Sequence, residues 1–303
     1  MNETREEKNE ELREEIELEN KKEQDEVRNR RNKKILKITS IVFIVLFSIF
    51  SVAYITLRYI GNYGLVVREY AIYNDYLPKD FNGIKVVQFS DVHYSNYMSI
   101  DTIKKLVSQI NKINPDIVIF TGDLIDKDYS IDNETKELLM KEFNSIKASI
   151  GKFAIKGDED KEEFKEIFDN SNFTILENTI EKVYVKNSVI DLIALDDNYT
   201  NSSVVKDDDN YSITIVHKPD LADRIIEDYN TPLIIAGHSL NGQIVLPLFG
   251  PLIKKEGAKV YPSSYYRINN SDLYVSGGIG NSDYQFRLLN HPSINFYRLR
   301  TNQ

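Results

Sequence analysis

The stretch that decides the fold is "IKVVQFSDVH", residues 84–93. A short, mostly apolar run of this kind, rich in valine, reads as a strand buried on both faces. It ends in two chemically active residues, Asp91 and His93, just where such a strand would emerge from its sheet. The same arrangement recurs along the chain. "DIVIFTGD" (116–123) delivers Asp123, and "FAIKGDED" (153–160) delivers Asp158 and Glu159. "ITIVHKPD" (213–220) delivers His217, and "LIIAGHSLNGQ" (233–243) delivers His238. Open α/β sheets collect ligands at the carboxyl ends of their strands. An Asp after one strand is most often a turn former or a helix cap. Five strand ends carrying Asp or His point instead to one shared metal site.

Composition narrows the chemistry. The chain has 303 residues, no cysteine and only four histidines, and three of those four lie on these strand ends. Thiolate zinc sites, disulfides and a cysteine nucleophile are excluded. Mixed carboxylate oxygen and imidazole nitrogen suits manganese, iron or zinc. The fourth histidine, His291, matches no strand end and reads as structural or surface. At 41% hydrophobic the chain can build a core, and its net charge of −9 with no basic stripe argues against nucleic acid as a partner.

Between the strands, "SIDTIKKLVSQINK" (99–112) has apolar residues at helical spacing after a Ser/Asp start. Further helices are expected over 134–148 and 161–169, and further strands over 64–73, 152–156, 183–195, 272–276 and 294–299. Alternation of strand and helix gives an α/β class.

The N-terminal part is different. Residues 1–34 are almost entirely charged or amide and read as a flexible or frayed polar tail, although their Glu/Lys and Glu/Arg spacings would allow a solvated helix. From Ile38 to Leu57 no residue is charged, the length needed to span hydrocarbon. Residues 35–60 therefore read as a transmembrane helix. Arg28, Arg30, Arg31, Lys33, Lys34 and Lys37 precede the run, whereas Arg58 and Arg68 follow it. The positive-inside rule puts the tail in the cytoplasm and residues 61–303 outside the cell membrane, as one domain on an uncleaved signal anchor. A cleaved signal peptide would have a shorter apolar run and a small-residue cleavage site. The Asn/Ile/Lys/Asp-rich composition suggests an AT-rich bacterial source.

The order and wording of the five blocks resemble the calcineurin-like metallophosphoesterase family and its membrane-anchored branch. The family pattern reads D-x-H, G-D, G-N-H-D/E, H and G-H-x-H. Here the blocks stand as "DVH" (91–93), "GD" (122–123), "GDED" (157–160), "VHKPD" (216–220) and "GHSLNGQ" (237–243), with "YVSGGIGNS" (274–282) and Arg287 after them. The resemblance runs from about residue 66 to the C-terminus. It implies two packed mixed β-sheets flanked by helices, a four-layer sandwich, with two divalent cations at the strand ends. It further implies that Asp91 and His93 bind the first metal and that Asp123 bridges both. Asp158, His217 and His238 would bind the second metal, and Arg287 would be a candidate phosphate or structural arginine. Two such cations hold a hydroxide that attacks phosphorus in line and clamp the phosphoryl oxygens.

Three positions depart from the family pattern. Asp158 replaces an Asn, which keeps an oxygen ligand and adds negative charge. Glu159 replaces the histidine that contacts phosphate, and a carboxyl beside two dications is held ionised, so strong general-acid help is not expected from it. It would turn away or become a ligand. Leu240 replaces the second histidine of the last block and cannot ligate, which leaves the first site with three residues plus water unless Asn241 or another oxygen compensates. The expected function is hydrolysis of phosphate mono- or diesters by a metal-activated hydroxide at the outer face of the membrane. Its substrate would be a phosphorylated small molecule, a lipid headgroup or an envelope polymer. The alternative is a weak or silent binding protein that keeps one metal.

Overall fold

A computed structural model describes residues 5–200, 204–206 and 210–302. The chain divides into two compact units, Met1–Thr56 and Leu57–Gln303.

The first unit is one helix, α1 (Arg5–Ile55). The expectation of a flexible tail is corrected here, because the helix already begins at Arg5. The segment is rich in Glu, Lys and Arg, all good helix formers, and has no Gly or Pro before Gly61. Arg30 also reaches Glu26 one turn away at 3.3 Å, an exposed pair worth a few tenths of a kcal/mol. In the apolar half, the hydroxyls of Ser40 and Ser48 donate to the carbonyls of Leu36 and Ile44, so neither is left unpaired among apolar neighbours. This helix is long and apolar enough to cross a membrane.

The second unit follows in chain order. It begins with β1 (Val66–Tyr73), β2 (Lys85–Phe89), α2 (Ile100–Ile113), β3 (Ile117–Thr121), α3 (Asn133–Asn144), β4 (Gly151–Ile155), α4 (Glu162–Asp169) and β5 (Thr174–Ile175). It continues with β6 (Thr179–Val185), β7 (Ser188–Leu195), β8 (Ser212–Val216), α5 (Ala222–Tyr229) and β9 (Leu233–Ala236). Last come β10 (Val245–Leu246), β11 (Gly250–Pro251), β12 (Tyr265–Ile268), β13 (Ser271–Val275) and β14 (Ser293–Arg300). Two six-stranded sheets result, in the orders β1-β14-β2-β3-β4-β5 and β12-β13-β9-β8-β7-β6. Both are mixed. β2 to β5 run parallel with β14 antiparallel to β2, and β7, β8, β9 and β13 run parallel with antiparallel β6 and β12 at the edges.

The strands read as continuous apolar runs because both of their faces are covered. In β3, Ile117 and Ile119 enter the core between the sheets, while Val118 and Phe120 pack with α2, α3 and α4 on the other face. In β9, Leu233 and Ile235 enter the same central core, and Ile234 and Ala236 pack with α5. Side chains of period two thus feed two cores per sheet. The result is helices, sheet, sheet, helix. Gln88 is the polar exception in β2. Its amide donates to Thr121 Oγ1 and to the carbonyl of Ala236, which ties the two sheets together under the site.

The expected strand over 183–195 is two strands, β6 and β7, joined at Lys186–Asn187 with Lys186 in the left-handed region (φ 51°). The turn carries no Gly or Pro, so the apolar alternation ran across it. The short helix α5 and the edge strand β12 were not foreseen either.

Candidate metal centre

Each proposed ligand sits on a turn that its strand forces. Asp91 and His93 follow β2, Asp123 follows β3, Asp158 and Glu159 follow β4, His217 follows β8 and His238 follows β9. Four of them hold left-handed backbone, with φ of 51° at Asp91, 42° at His93, 60° at Asp123 and 66° at His238. Such conformations cost roughly 1–3 kcal/mol each and persist where surrounding structure over-determines them, commonly at functional sites. The glycines explain why the turns can approach so closely. A Cβ at Gly157 would collide with Asp123 Oδ1, and one at Gly237 would collide with Ser90 Oγ.

The turns converge on two groups of ligand atoms that share Asp123. One comprises Asp123, Asp158, His217 and His238, and the other Asp91, His93 and Asp123, with the atoms of each group within 4.8 Å of one another. In the first group His217 Nε2 lies 3.2 Å from Asp123 Oδ2 and 3.0 Å from Asp158 Oδ1, and His238 Nδ1 lies 3.1 Å from Asp158 Oδ1. In the second, His93 Nε2 lies 3.7 Å from Asp123 Oδ2 and 3.9 Å from Asp91 Oδ1. Both His93 Nε2 and Asp123 Oδ2 are buried without a hydrogen-bond partner. Leaving such atoms unpaired in a dry interior is costly. Spacings of this size accommodate a cation at ordinary ligand distances. The donor set therefore fits divalent metal.

The surrounding groups fix which ring nitrogens are available. His217 Nδ1–H donates to the Thr121 carbonyl at 2.7 Å, which leaves Nε2 for a cation. His238 does the reverse, with Nε2–H donating to the Glu256 carbonyl at 2.6 Å and Nδ1 turned towards Asp158 and His217. Tautomer control of this kind is usual behind metal-bound imidazoles. Neither carbonyl carries any signal in the sequence.

Asp123, Asp158 and His217 hold each other charged when no metal is bound. Burial acts to raise the Asp123 pKa, but His217 and His93 outweigh it and hold the carboxyl below its usual range. Burial likewise opposes Asp158, and hydrogen bonds from His217 and His238 win. The converse holds for His217. Burial acts to lower its pKa, but Asp123 and Asp158 raise it well above the ordinary value.

Two departures from the family pattern acquire physical meaning. Lys218 Nζ lies 3.3 Å from Asp158 Oδ2 and 2.6 Å from Asp197 Oδ2, so the charge added at position 158 faces a cation. Glu159 has become neither free nor distant. Its Oε2 accepts from the Lys127 backbone N–H and lies 3.3 Å from His93 Nδ1, at ion-pair distance although poorly aligned for a hydrogen bond. The carboxylate thus stands behind the His93 ring, on the side away from Nε2. Glu159→Ala is expected to weaken metal binding at the Asp91–His93 group by about 10–100-fold, with Glu159→Gln keeping most of it, as titration calorimetry would show.

Leu240 is fully buried and packs where a Cβ on Gly278 would collide with it, so it offers no ligand. Asn241 is buried, and a Cβ at Gly277 would lie 3.0 Å from its Nδ2. The substrate-binding expectation for Arg287 is corrected. Its side chain is wholly buried, and all three guanidinium nitrogens are spent on Gly277 O, Gly280 O, Asn290 O and Asn281 Oδ1. It braces the loop after β13 from beneath.

Asp160 was missed by sequence reasoning. Its carboxylate accepts from the backbone N–H groups of Gly157, Asp123 and Leu124, which staples the β3 and β4 turns together. It fills the acidic last position of the G-N-H-D/E block, to which no role had been given. Asp160→Ala would strand three buried donors and should destabilise the protein by roughly 3 kcal/mol or more, read as a lower melting temperature.

A sequence model of the calcineurin-like phosphoesterase family matches residues 84–279. The chain belongs to the calcineurin-like phosphoesterase family. An uncharacterized metallophosphoesterase of Bacillus subtilis, YkuE, is 30% identical over 256 residues, covering 80% of this chain and 88% of its own. A zebrafish (Danio rerio) transmembrane protein with metallophosphoesterase domain is 24% identical over 72% of this chain and 53% of its own. The UDP-2,3-diacylglucosamine pyrophosphatase LpxG of Chlamydia trachomatis is 36% identical over 87 residues, 28% of this chain and 26% of its own. Membership explains the two ligand groups meeting at Asp123.

Proposed function

We propose that this family member is a membrane-anchored hydrolase of phosphate mono- or diesters, working with two divalent cations at the outer face of the membrane. One observation carries the reading: two ligand groups share Asp123, whose Oδ2 is buried and has no hydrogen-bond partner. Asp123, Asp158, His217 and His238 would hold one cation, and Asp91, His93 and Asp123 the other, with manganese, iron or zinc suited to the donors. When bound, the cations supply Lewis acidity, activating water and offsetting charge on the phosphoryl oxygens. The chain's own residues do the rest. Thr121 and Glu256 hold the imidazoles in register through their carbonyls, and Lys218 balances Asp158. Glu159, drawn below the usual carboxylate range by the His93 ring despite burial, stays ionised and offers no proton to a leaving group. Esters with good leaving groups, such as aryl phosphates, should therefore react best.

The test is hydrolysis of bis(p-nitrophenyl) phosphate by the full chain with added manganese, iron or zinc. Absence of turnover with every metal would leave the second reading, a silent binding protein retaining one cation, which Leu240 favours by removing a ligand from the Asp91–His93 group. Metal content separates the two readings, since two tightly held cations exclude the one-metal version. Orientation is tested with a cysteine at exposed Tyr76, unique because the chain has none. A membrane-impermeant maleimide should label it on intact cells, and labelling only after lysis would reverse the topology.

A further inference from the structure

Two cavities of about 400 Å³ flank the metal centre, and they differ in chemistry. That beside Asp158 and Lys218 is lined by acids, including Glu177, Asp196 and Asp197. The other has His93 in its wall, and Tyr63, Leu65, Tyr97, Met98, Leu106 and Ile279 supply its apolar surface. Among the described residues its lining contains no carboxylate, in a chain of net charge −9, and Lys105 stands in it. Ligand pockets are commonly of this size and character.

We propose that this second cavity receives the apolar tail of a membrane-resident phosphoester, an alkyl or acyl lipid phosphate, while its phosphorus lies at the metal centre. The proposal rests on the phosphoesterase reading and names its substrate class. Continuity is the first argument, because His93 belongs both to the cavity wall and to the ligand group.

Access to a bilayer is the second. Tyr63, in the wall, stands six residues after Leu57, where the apolar run ends, and a chain of that length reaches about 20 Å at most. Tyr63 and Tyr97 are 84% and 69% exposed, and the Arg58 guanidinium lies 5.5 Å over the Tyr97 ring. Exposed tyrosine paired with arginine suits the headgroup level of a membrane. Leu248 and Phe249, on the tip between β10 and β11, are also almost wholly exposed. That hairpin joins the same region through two backbone hydrogen bonds and one from a side-chain amide. Val245 N–H donates to the Leu288 carbonyl, Arg287 N–H to Leu57 and Asn62 Nδ2 to Gln285. Large apolar side chains held in water on a segment tied to residues 57–62 are accounted for by insertion into the leaflet.

The experiment uses the full chain in phosphatidylcholine vesicles with manganese and compares p-nitrophenyl ethyl phosphate with p-nitrophenyl dodecyl phosphate. The dodecyl to ethyl ratio of kcat/KM should exceed ten. Its rate should follow the mole fraction of ester in the vesicle rather than the bulk concentration. Thr102→Arg, which places a charge in the cavity wall, should collapse the ratio towards one. A ratio that the variant leaves intact would assign the gain to vesicle partitioning and overturn the cavity. A flat but measurable series would overturn it too, while sparing the phosphoesterase reading. If no ester turns over, that reading fails instead, and binding of dodecylphosphonate against ethylphosphonate by the wild type and Thr102→Arg decides the cavity by the same ratio.

Discussion

Asp123→Asn is expected to lower phosphoester hydrolysis by about a thousandfold or more, equivalent to about 4 kcal/mol of transition-state stabilisation. The substitution is chosen to spare the fold. Asparagine tolerates the left-handed backbone at this position (φ 60°). Its remaining oxygen can still accept the Glu159 N–H that Oδ1 accepts now at 3.0 Å. What it loses is the charge and Oδ2, the oxygen that faces His93 in one ligand group and His217 in the other. Metal analysis should show weakened binding at both sites, with a metal-free melting temperature close to wild type. A variant that retained two cations and a rate within tenfold of wild type would remove Asp123 from the bridging role.

The second large effect is on stability. Each cation that binds only the folded chain, at 100 times its Kd, adds about 2.7 kcal/mol. For a unit the size of Leu57–Gln303 this corresponds to a melting temperature higher by roughly 5–10 °C, reversed by chelator. The effect should depend on pH in a definite direction. His217 and His93 have raised pKa values in the metal-free protein, because burial, which acts to lower them, is outweighed by the facing carboxylates. They keep their protons above pH 6.5, where an ordinary imidazole is neutral, and a cation must displace them. Metal affinity should therefore rise through neutral pH and level off once both rings are deprotonated. The metal-free protein should behave oppositely. The contribution of a raised imidazole is fully present below about pH 6.5 and is lost as pH rises through the folded value. Calorimetry in two buffers of different ionisation enthalpy would measure the protons released on metal binding. No release near pH 7, or no change in melting temperature with any metal, would contradict the account.

Much of this molecule was legible without coordinates. Strands buried on both faces leave continuous apolar runs, and an Asp or His just past such a run, beside Gly at Asp123, Asp158 and His238, marks a strand end that offers a metal ligand. Asp91, Asp123, Asp158, His217 and His238 were visible for that reason. The apolar stretch after Lys37 was visible because hydrocarbon requires about 20 uncharged residues, whatever surrounds them. The helix α5 escaped, although it is as long as the foreseen α4.

The sequence by itself determined the α/β class, the membrane-length helix and the residue types at the strand ends, because periodicity and local turn chemistry are properties of neighbouring residues, while the two-sheet sandwich was implied by the resemblance of the five blocks. Only the tertiary structure decided what those residues do to each other. It decided Arg287, open between a phosphate and a structural role, as a buried brace, set Glu159 behind His93, faced Asp158 with Lys218 and made Asp160 a staple. Each of these depends on groups brought together through space, some of them backbone carbonyls and amides that are identical at every position in the chain.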